Sequence, residues 1–266
     1  MSKIVARTVD FLELFAAQKR PLSHTEIARL LNIPPSSCHD VLRALLARGY
    51  LYELTARGGY YPTLRLFEIA KTIADHDPVA QRAEAPLRTL RDRIDESILL
   101  SKINGLTATY LLSLEPAHPL RFLATVGETL SSLHATSAGK ALLGTLDAGA
   151  LDEFLSRTKL QAFTAHTLVS KSALRSDLAA GNRRGWYLND EESQIGVMTV
   201  SGRFRWTSGV FVVTVAGPKP RLKPKLTEAV SLLTSVCKSL DSPASEGVVR
   251  TIAVHARPSR ARLTGP

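Results

Sequence analysis

Residues 21–49 read PLSHTEIARLLNIPPSSCHDVLRALLARG, and this stretch decides the fold of the first part of the chain. Ser23 and Glu26 form a capping box, because the serine hydroxyl can accept from the Glu26 amide while the glutamate reaches back to the serine amide. A helix is therefore predicted to begin at Ser23. The run Asn32-Ile33-Pro34-Pro35 interrupts it, and Pro35 suits the first turn of a second helix over 35–48. The apolar face of that second helix is predicted to consist of Cys38, Val41, Leu42 and Leu45.

The stretches on either side extend this pattern. Residues 3–17 place apolar side chains at helical spacing and predict a preceding helix. Two β-prone runs, 50–54 and 60–62, flank Gly58-Gly59 and predict a hairpin. Helices joined by a short turn and followed by a hairpin form a winged helix-turn-helix, which we predict for residues 1–62.

The second part of the chain shows a different pattern. Residues 63–78 are predicted to form a linker helix that ends at Pro78, and residues 79–240 a domain of both strands and helices. An antiparallel sheet flanked by helices is the natural α+β arrangement for this pattern. Residues 241–266, rich in Ser, Pro, Arg and Gly, are predicted to be a flexible tail. The predicted strands are 97–103, 107–114, 120–126, 195–203 and 208–216.

The composition is that of an ordinary globular protein with an excess of positive charge. The 266 residues carry a formal net charge of +10, which favours a polyanionic partner. Residues 1–75 hold ten Lys and Arg against seven Asp and Glu, so charge alone does not locate a DNA-binding part. Cys38 and Cys237 are far apart and lack metal-ligand spacing, which is typical of a reducing compartment. We therefore expect a cytoplasmic protein without a signal peptide, membrane span, metal site or cofactor.

Six separated stretches of the chain form an ordered set of motifs. They are residues 21–51, GGYYPTLRLFEIA (58–70), LHATSAGKALLG (133–144), LQAFTAHTLVS (160–170), RGWYLNDEESQIGV (184–197) and FVVTVAGP (211–218). By these motifs and their order, the chain resembles, from residue 3 to about residue 240, the isocitrate-lyase-regulator (IclR) family of bacterial transcriptional regulators. The resemblance implies a winged helix-turn-helix, a linker helix and a C-terminal GAF-like effector-binding domain, assembled as homodimers or homotetramers on palindromic operators.

The exposed face of the second helix of the motif is the predicted reading surface, because its early polar residues reach phosphates and base edges. Arg43 can form a fork onto a guanine or hold a phosphate. Arg57, at the hairpin tip, is the candidate wing contact with a phosphate or the minor groove. The alternative for these residues is a helix cap or a solvated surface charge. The candidate DNA-binding residues are Ser36, Ser37, His39, Asp40, Arg43, Arg57, Arg7, Lys19 and Arg20.

Two positions of this surface depart from the family pattern. Family members often carry basic residues where this chain has Pro35 and Asp40. Asp40 repels a phosphate but can accept a hydrogen bond from cytosine N4. We therefore expect an altered operator preference, or a heavier reliance on the wing and the first helix. The alternative is a ligand-sensing adaptor whose degenerate winged helix does not bind DNA specifically.

The motif HATSAGK over residues 134–140 is not a phosphate-binding P-loop, because it lacks the required glycine at His134 and the Ser or Thr after Lys140. Small residues before a helix can offer free amides to an anion such as a carboxylate, although packed small residues at a helix start are the alternative. In the family this loop lines the effector pocket. The resemblance implies that the effector-binding residues are Leu120, Leu133, Thr136, Ser137, Ala138, Asn189, Val197, Thr199, Thr214 and Ala216.

The pocket positions also depart from the family pattern. Family members tend to have Asp where this chain has Asn189, Cys where it has Thr199, and Ser where it has Thr214 and Ala216. The pocket is therefore expected to be less acidic and less polar than in members that bind two- or three-carbon keto acids. We predict a larger, partly apolar ligand, such as an aromatic acid or its derivative, held by the loop amides and by Thr199 and Thr214.

Catalysis is not expected. Ser137 lies near His134 in the sequence and Asp190-Glu191-Glu192 is an acidic run, but the chain lacks a GxSxG elbow and a His pair at metal spacing. We therefore predict a sequence-specific DNA-binding regulator, and a repressor because that outcome is commoner in the family. The predicted partners are double-stranded DNA, a small organic effector and a second copy of the chain, with no membrane.

Overall fold

The structure is a computed structural model that describes residues 3–54, 59–130, 132–207 and 209–241. The chain divides into two compact units, Met1–Gln81 and Arg82–Pro266. The predicted tail, 241–266, lies outside the described residues except for its first position. No helix in the described part of the chain is long and apolar enough to cross a membrane.

The first unit is a winged helix-turn-helix, as predicted. Its three short strands form an antiparallel sheet in the order β1-β3-β2, so that the residues before α2 add a strand to the hairpin that the sequence did not indicate. The elements are α1 (Lys3–Gln18), β1 (Leu22–Ser23), α2 (His24–Leu30), α3 (Pro35–Ala47), β2 (Leu51–Glu53), β3 (Gly59–Pro62) and α4 (Arg65–Asp75).

Local signals explain where α2 and α3 begin. The capping box is present: the Glu26 amide donates to the Ser23 hydroxyl at 3.3 Å, and the Ser23 amide donates to the Glu26 carboxylate at 2.9 Å. Pro35 occupies the first turn of α3, where its missing N–H removes no helical hydrogen bond. The four residues predicted for the apolar face of α3, Cys38, Val41, Leu42 and Leu45, are all buried with Phe11, Phe15, Leu22 and Ile27.

The second unit is an antiparallel five-stranded sheet flanked by helices, in the strand order β5-β4-β8-β7-β6. The predicted fold class is therefore confirmed. The elements that follow α4 are α5 (Pro78–Ile94), β4 (Ser97–Asn104), β5 (Thr107–Leu114), α6 (Ser137–Leu143), α7 (Ala148–Arg157), α8 (Lys171–Arg184), β6 (Trp186–Asp190), β7 (Val197–Trp206), β8 (Gly209–Pro218), α9 (Lys219–Leu222), a 3₁₀ turn (Lys223–Lys225) and α10 (Leu226–Leu240).

The two faces of this sheet pack against different helices. Residues directly opposite each other in antiparallel strands share a face, and the register pairs Leu99 with Thr214, Thr214 with Ser201, and Thr199 with both Ala216 and Asn189. This face, which we call the effector face, lies against α6. The opposite face packs against α10, where a Cβ on Gly202 would come within 2.9 Å of the Cys237 sulfur.

The prediction of a strand over 120–126 is wrong. Leu120 and Leu123 are 72% and 62% exposed, and their segment follows an irregular path. The free edge of β5 pairs instead with later residues: Gly127 donates to the Tyr110 carbonyl and Leu130 to the Ala108 carbonyl. Backbone carbonyls of the segment over 120–126 accept hydrogen bonds from side chains and not from a neighbouring strand. The carbonyl of Leu120 accepts from Arg221, and that of Phe122 accepts from Ser97.

Candidate DNA-binding surface and effector pocket

Four of the predicted DNA-binding residues form one exposed stripe on α3. Ser36, His39, Asp40 and Arg43 are all exposed, and their spacing of three and four residues places them on one side of the helix. The buried residues Cys38, Leu42 and Leu45 occupy the other side. Ser37 is half-buried at the edge of the stripe. The stripe therefore presents a hydroxyl, an imidazole, a carboxylate and a guanidinium to solvent.

The remaining predicted contacts are placed less uniformly. Arg20 pairs with the Glu26 carboxylate at 2.9 Å and supports the capping box. The Ser23 amide, followed by Arg20, lowers the pKa of Glu26 to about 2. Lys19 is exposed and Arg7 is half-buried. Arg57, the predicted wing contact, lies outside the described residues.

An apolar groove of about 620 Å³ lies between α1, α3 and α4 in the first unit, and the sequence did not indicate it. The structure describes all of α4, and none of its side chains is buried. Even the apolar side chains of Phe67 and Ile73 are 61% and 68% exposed. On α1, Val5 and Val9 are exposed as well. The groove is lined by Arg7, Thr8, Leu12, Ser37, Asp40, Val41, Ala44, Leu45, Arg48, Tyr50, Leu66 and Ile69.

In the second unit, a small cavity of about 30 Å³ lies between α6 and the effector face of the sheet. Six predicted effector residues line it: Thr136, Ser137, Ala138, Asn189, Thr199 and Thr214. Five further lining residues, which sequence reasoning missed, are Leu99, Tyr110, Phe122, Leu130 and Ser193. Leu99, Tyr110, Phe122 and Leu130 lie outside the motifs, and Ser193 lies within the motif over 184–197 without having been singled out, so only the tertiary structure identifies the five.

Four buried hydroxyls form a continuous row beside this cavity. The Ser137 hydroxyl lies 2.6 Å from that of Thr199 and 2.7 Å from that of Ser201. The Ser201 hydroxyl lies 2.8 Å from that of Thr214. Register explains the grouping, because Ser201 and Thr214 are directly opposite in β7 and β8 and Thr199 lies two residues before Ser201.

The Asn189 side chain is engaged by the turn that follows β6. Its carbonyl oxygen accepts from the amides of Glu192 at 2.8 Å and Ser193 at 3.4 Å, and its nitrogen donates to the Ser193 hydroxyl at 2.9 Å. Replacing the family's aspartate with asparagine thus leaves a side chain that is already hydrogen-bonded within its own loop.

Lys140, the last residue of the HATSAGK motif, points away from the small cavity. Its ammonium donates to the Leu188 carbonyl at 3.0 Å and lies 2.5 Å from the Glu192 carboxylate and 2.8 Å from that of Asp177. Only 1% of the lysine side chain is exposed. Burial raises the pKa of Glu192, while the adjacent Lys140 opposes this shift. The lysine therefore ties α6 to the turn that carries Asn189 and Ser193.

Gly139 of the same motif has a packing role. A Cβ there would lie 2.4 Å from the Leu133 Cα, so the start of α6 contacts the preceding backbone too closely for any side chain. The predicted effector residue Leu133 itself is half-buried and packs against the core beside α6.

An open apolar groove of about 430 Å³ adjoins the small cavity. Two predicted effector residues, Leu120 and Val197, line this groove, together with Leu123 and Ile195. Phe122 lines both the groove and the cavity. Ala216 is buried opposite Thr199 and is among the lining residues of neither space.

The structure does not bring the Ser137 hydroxyl to an imidazole. His134 contacts the Ser132 hydroxyl at 3.2 Å and the Gln161 carbonyl at 2.9 Å, so its ring nitrogens are engaged elsewhere. Among the described residues, no group of three or more His, Cys, Asp or Glu side chains is arranged to hold a metal ion. Both cysteines are buried and unpaired, and burial raises the pKa of Cys237 to about 12.

Comparison with known proteins identifies both units. The IclR helix-turn-helix domain matches residues 4–54, and the C-terminal domain of the bacterial transcriptional regulator IclR matches residues 71–241. The HTH-type transcriptional regulator BhcR of Paracoccus denitrificans is 30% identical over 227 residues, 85% of this chain and 81% of that protein. The transcriptional repressor IclR of Escherichia coli is 24% identical over 241 residues, 89% of this chain and 88% of that protein.

Solved structures agree with these matches. The crystal structure of an IclR homologue from Microbacterium hydrocarbonoxydans, complexed with 4-hydroxybenzoate, superimposes with a TM-score of 0.71. It is 22% identical and covers 90% of this chain and 98% of that chain. The chain therefore has the fold of that protein. The chain belongs to the IclR family of transcriptional regulators, whose DNA-binding domain is the winged helix-turn-helix of its first unit.

Proposed function

We propose that the protein is a cytoplasmic repressor that binds a palindromic operator as a homodimer or homotetramer and is controlled by an aromatic acid or its derivative. The observation that carries this proposal is the pairing of an exposed polar stripe on α3 with a buried, hydroxyl-lined cavity in the second unit. The first feature suits a large external polyanion, and the second suits a small ligand.

The DNA half of the proposal rests on α3. In a helix-turn-helix the second helix enters the major groove, where an exposed guanidinium such as Arg43 and hydroxyls such as Ser36 reach bases and phosphates. The test is a mobility-shift assay of the full chain against the DNA upstream of its own gene, at two salt concentrations. A specific complex that weakens steeply as salt rises is expected, because each phosphate contact releases counterions.

Asp40 motivates a second candidate function. Its carboxylate is exposed on the reading stripe, where it repels phosphates. A sensing adaptor without specific DNA binding would show equal affinity for the upstream fragment and for a scrambled fragment of the same length. That outcome would reject the repressor and support the adaptor.

The dimer rests on α4 and α1. Exposed apolar side chains, among them Phe67, Ile73 and Val9, lie on the two helices that help to line the 620 Å³ groove, and patches of this kind mark interaction surfaces. A second copy of the chain is the proposed occupant, because a palindromic operator requires two reading heads related by a two-fold axis.

Analytical ultracentrifugation of Phe67→Asp tests this dimer. The variant is expected to sediment as a smaller species than the wild type, because a buried carboxylate would oppose association. Leu106→Asp is the matched control, since Leu106 is an exposed apolar residue of the second unit. Unchanged sedimentation of Phe67→Asp, or an equal effect of Leu106→Asp, would argue against this surface.

The ligand half rests on the cavity lining. Tyr110 and Phe122 supply aromatic walls, and Thr199 and Thr214 supply hydroxyls. The volume of about 30 Å³ admits only the inner end of an aromatic acid, so binding requires Phe122 to move and join the cavity to the 430 Å³ groove. The related Microbacterium protein binds 4-hydroxybenzoate, which supports a ligand of this class.

Isothermal titration calorimetry with a panel of aliphatic and aromatic acids tests the ligand class. Aromatic acids are expected to bind more tightly than pyruvate-sized acids, because they bury more apolar surface in the merged space. Tight binding of pyruvate-sized acids alone would reject an aromatic effector. A ligand regulates only if it binds one arrangement of the reading heads better than another, so a binding acid should also shift the operator affinity.

A further inference from the structure

The row of hydroxyls beside the cavity contains one member, Ser201, that is not among the cavity-lining residues. Ser201 is fully buried and lies between the hydroxyls of Ser137 and Thr214. The other three members, Ser137, Thr199 and Thr214, are each more than nine-tenths buried and line the cavity. The row therefore runs from one wall of the cavity, through Ser201, to another wall.

The number of hydroxyl protons in the row determines how many hydrogen-bond donors remain for a ligand. A hydroxyl has a single proton to donate. Four hydroxyls joined by three contacts use three protons among themselves, whichever way each bond points. Among the described residues, these four hydroxyls make no other hydrogen bond, so one O–H group is left without an acceptor.

We propose that Ser201 is a positioning residue that limits the effector cavity to at most one unpaired O–H donor and so selects a ligand whose inner end is a hydrogen-bond acceptor. A carboxylate or carbonyl oxygen satisfies this donor, whereas an apolar or donor-only group leaves it unpaired in a buried site. An unpaired buried donor weakens binding substantially. This inference rests on the proposed function, because it specifies the ligand of the same cavity.

Removing the Ser201 hydroxyl changes the number of unpaired O–H donors, whereas removing either terminal hydroxyl of the row does not. Removing the terminal hydroxyl of Thr199 or Thr214 leaves three hydroxyls and two contacts, and still one unpaired donor. Removing the Ser201 hydroxyl divides the row into a Thr199–Ser137 pair and an isolated Thr214, which leaves two. A double change, Ser201→Ala with Thr214→Val, returns the count to one.

Two neutral probes of the same shape report the number of unpaired O–H donors in the cavity. Acetophenone carries a carbonyl oxygen, and α-methylstyrene carries a methylene group in its place. The ratio of their dissociation constants, measured by ligand-detected NMR on the full chain, reports the acceptor preference without any contribution from charge. Leaving one buried donor unpaired corresponds to a ratio of about tenfold in favour of acetophenone.

The variants are expected to fall into two classes. The ratio stays at about tenfold in Thr199→Val, in Thr214→Val and in the double variant, and rises to about a hundredfold in Ser201→Ala. A purely structural role of Ser201 would not be reversed by a second substitution, so recovery in the double variant is the decisive readout. Thermal melting of each variant verifies that it is folded.

Three results would overturn the inference. They are an unchanged ratio in Ser201→Ala, a raised ratio that persists in the double variant, and a wild-type protein that binds neither probe. The first two leave the proposed function intact if aromatic acids still bind. The third also removes the aromatic-ligand half of the proposed function, while the DNA half is judged separately by the mobility-shift assay.

Discussion

The exposed stripe on α3 and the effector face of the sheet differ in the exposure of their polar side chains. Ser36, His39 and Arg43 are exposed to solvent on α3, whereas Ser137 and Ser201 are fully buried and hydrogen-bonded to other hydroxyls. The difference follows from the partner. A DNA duplex is a rod that contacts only an outer surface, whereas a small ligand is enclosed by residues that must satisfy one another when it is absent. Substitutions in the two regions should therefore have different consequences.

The largest expected effect is on the stability of the second unit. Lys140→Met removes the ammonium between Glu192 and Asp177 and leaves the buried Glu192 carboxylate unpaired, which is expected to cost about 3–5 kcal/mol of unfolding free energy. Urea denaturation followed by tryptophan fluorescence measures this unit alone, because both tryptophans, Trp186 and Trp206, belong to it.

The control for that measurement is an exposed ion pair of the same unit. Arg88→Met breaks the pair with Glu84, in which both side chains are largely exposed, and is expected to cost less than about 1 kcal/mol. A similar loss in the two variants would show that burial is not what makes the Lys140 cluster important.

The next effect is on DNA affinity without a change in stability. Arg43→Ala is expected to weaken operator binding about tenfold or more and to reduce the slope of log affinity against log salt by up to about 1, because the change removes the proposed DNA contact of an exposed side chain and no buried packing. Fluorescence anisotropy at several salt concentrations measures both quantities. Arg157→Ala, on the exposed surface of the second unit, should leave both unchanged, and an unaffected Arg43→Ala would remove α3 from the interface.

Asp40→Asn separates repulsion from base recognition. The change removes a negative charge while keeping the shape of the side chain, so binding to non-specific DNA is expected to strengthen. If Asp40 accepts from cytosine N4, the preference for the operator should fall by about tenfold at the same time. Parallel titrations of operator and scrambled DNA provide the ratio. An unchanged ratio would mean that Asp40 only repels the backbone.

The smallest effect concerns the pH dependence of the capping box. The pKa of Glu26 is lowered from 4.5 to about 2, mainly by the Ser23 amide, so its stabilising contribution is complete above about pH 4.5 and is lost as the pH falls toward 2. Glu26→Gln should lack this dependence. Amide hydrogen exchange of α2, compared between the two proteins at each pH, measures it. A parallel pH response in both proteins would contradict the assignment.

Local patterns were sufficient for the helices and the hairpin of the first unit, though not for β1, and for part of the second unit. The capping box, Pro35 and the buried face of α3 act within one or two helical turns, so spacing alone predicted them. The strand predicted over 120–126 does not form because the edge of β5 pairs with residues 127–130 instead, and Arg221 and Ser97 bind carbonyls of the predicted segment.

The residues of the candidate pocket also fall into two groups, those identified from the sequence and those identified only from the structure. Thr199 and Thr214 were found because the resemblance to the family assigns both positions to the effector pocket. Tyr110 and Ser201 lie in no shared motif, and they join the site only when β4, β5, β7 and β8 are in register. Phe122, which also lies in no shared motif, belongs to the irregular segment whose carbonyl accepts from Ser97. Asn189 was assigned to the ligand, yet its amide is occupied by the turn over 189–193, an engagement that only the folded loop creates.

The sequence by itself therefore determined the winged helix-turn-helix, the α+β class of the second unit and the family of the chain, because these depend on short-range periodicity, caps and ordered motifs. The tertiary structure alone decided which hydroxyls meet, where Lys140 points and how much space remains beside α6. These properties depend on long-range contacts, such as the one between Ser137 and Ser201, which are 64 positions apart, and a shift of one residue in strand register would turn Thr199, Ser201 or Thr214 to the other face of the sheet.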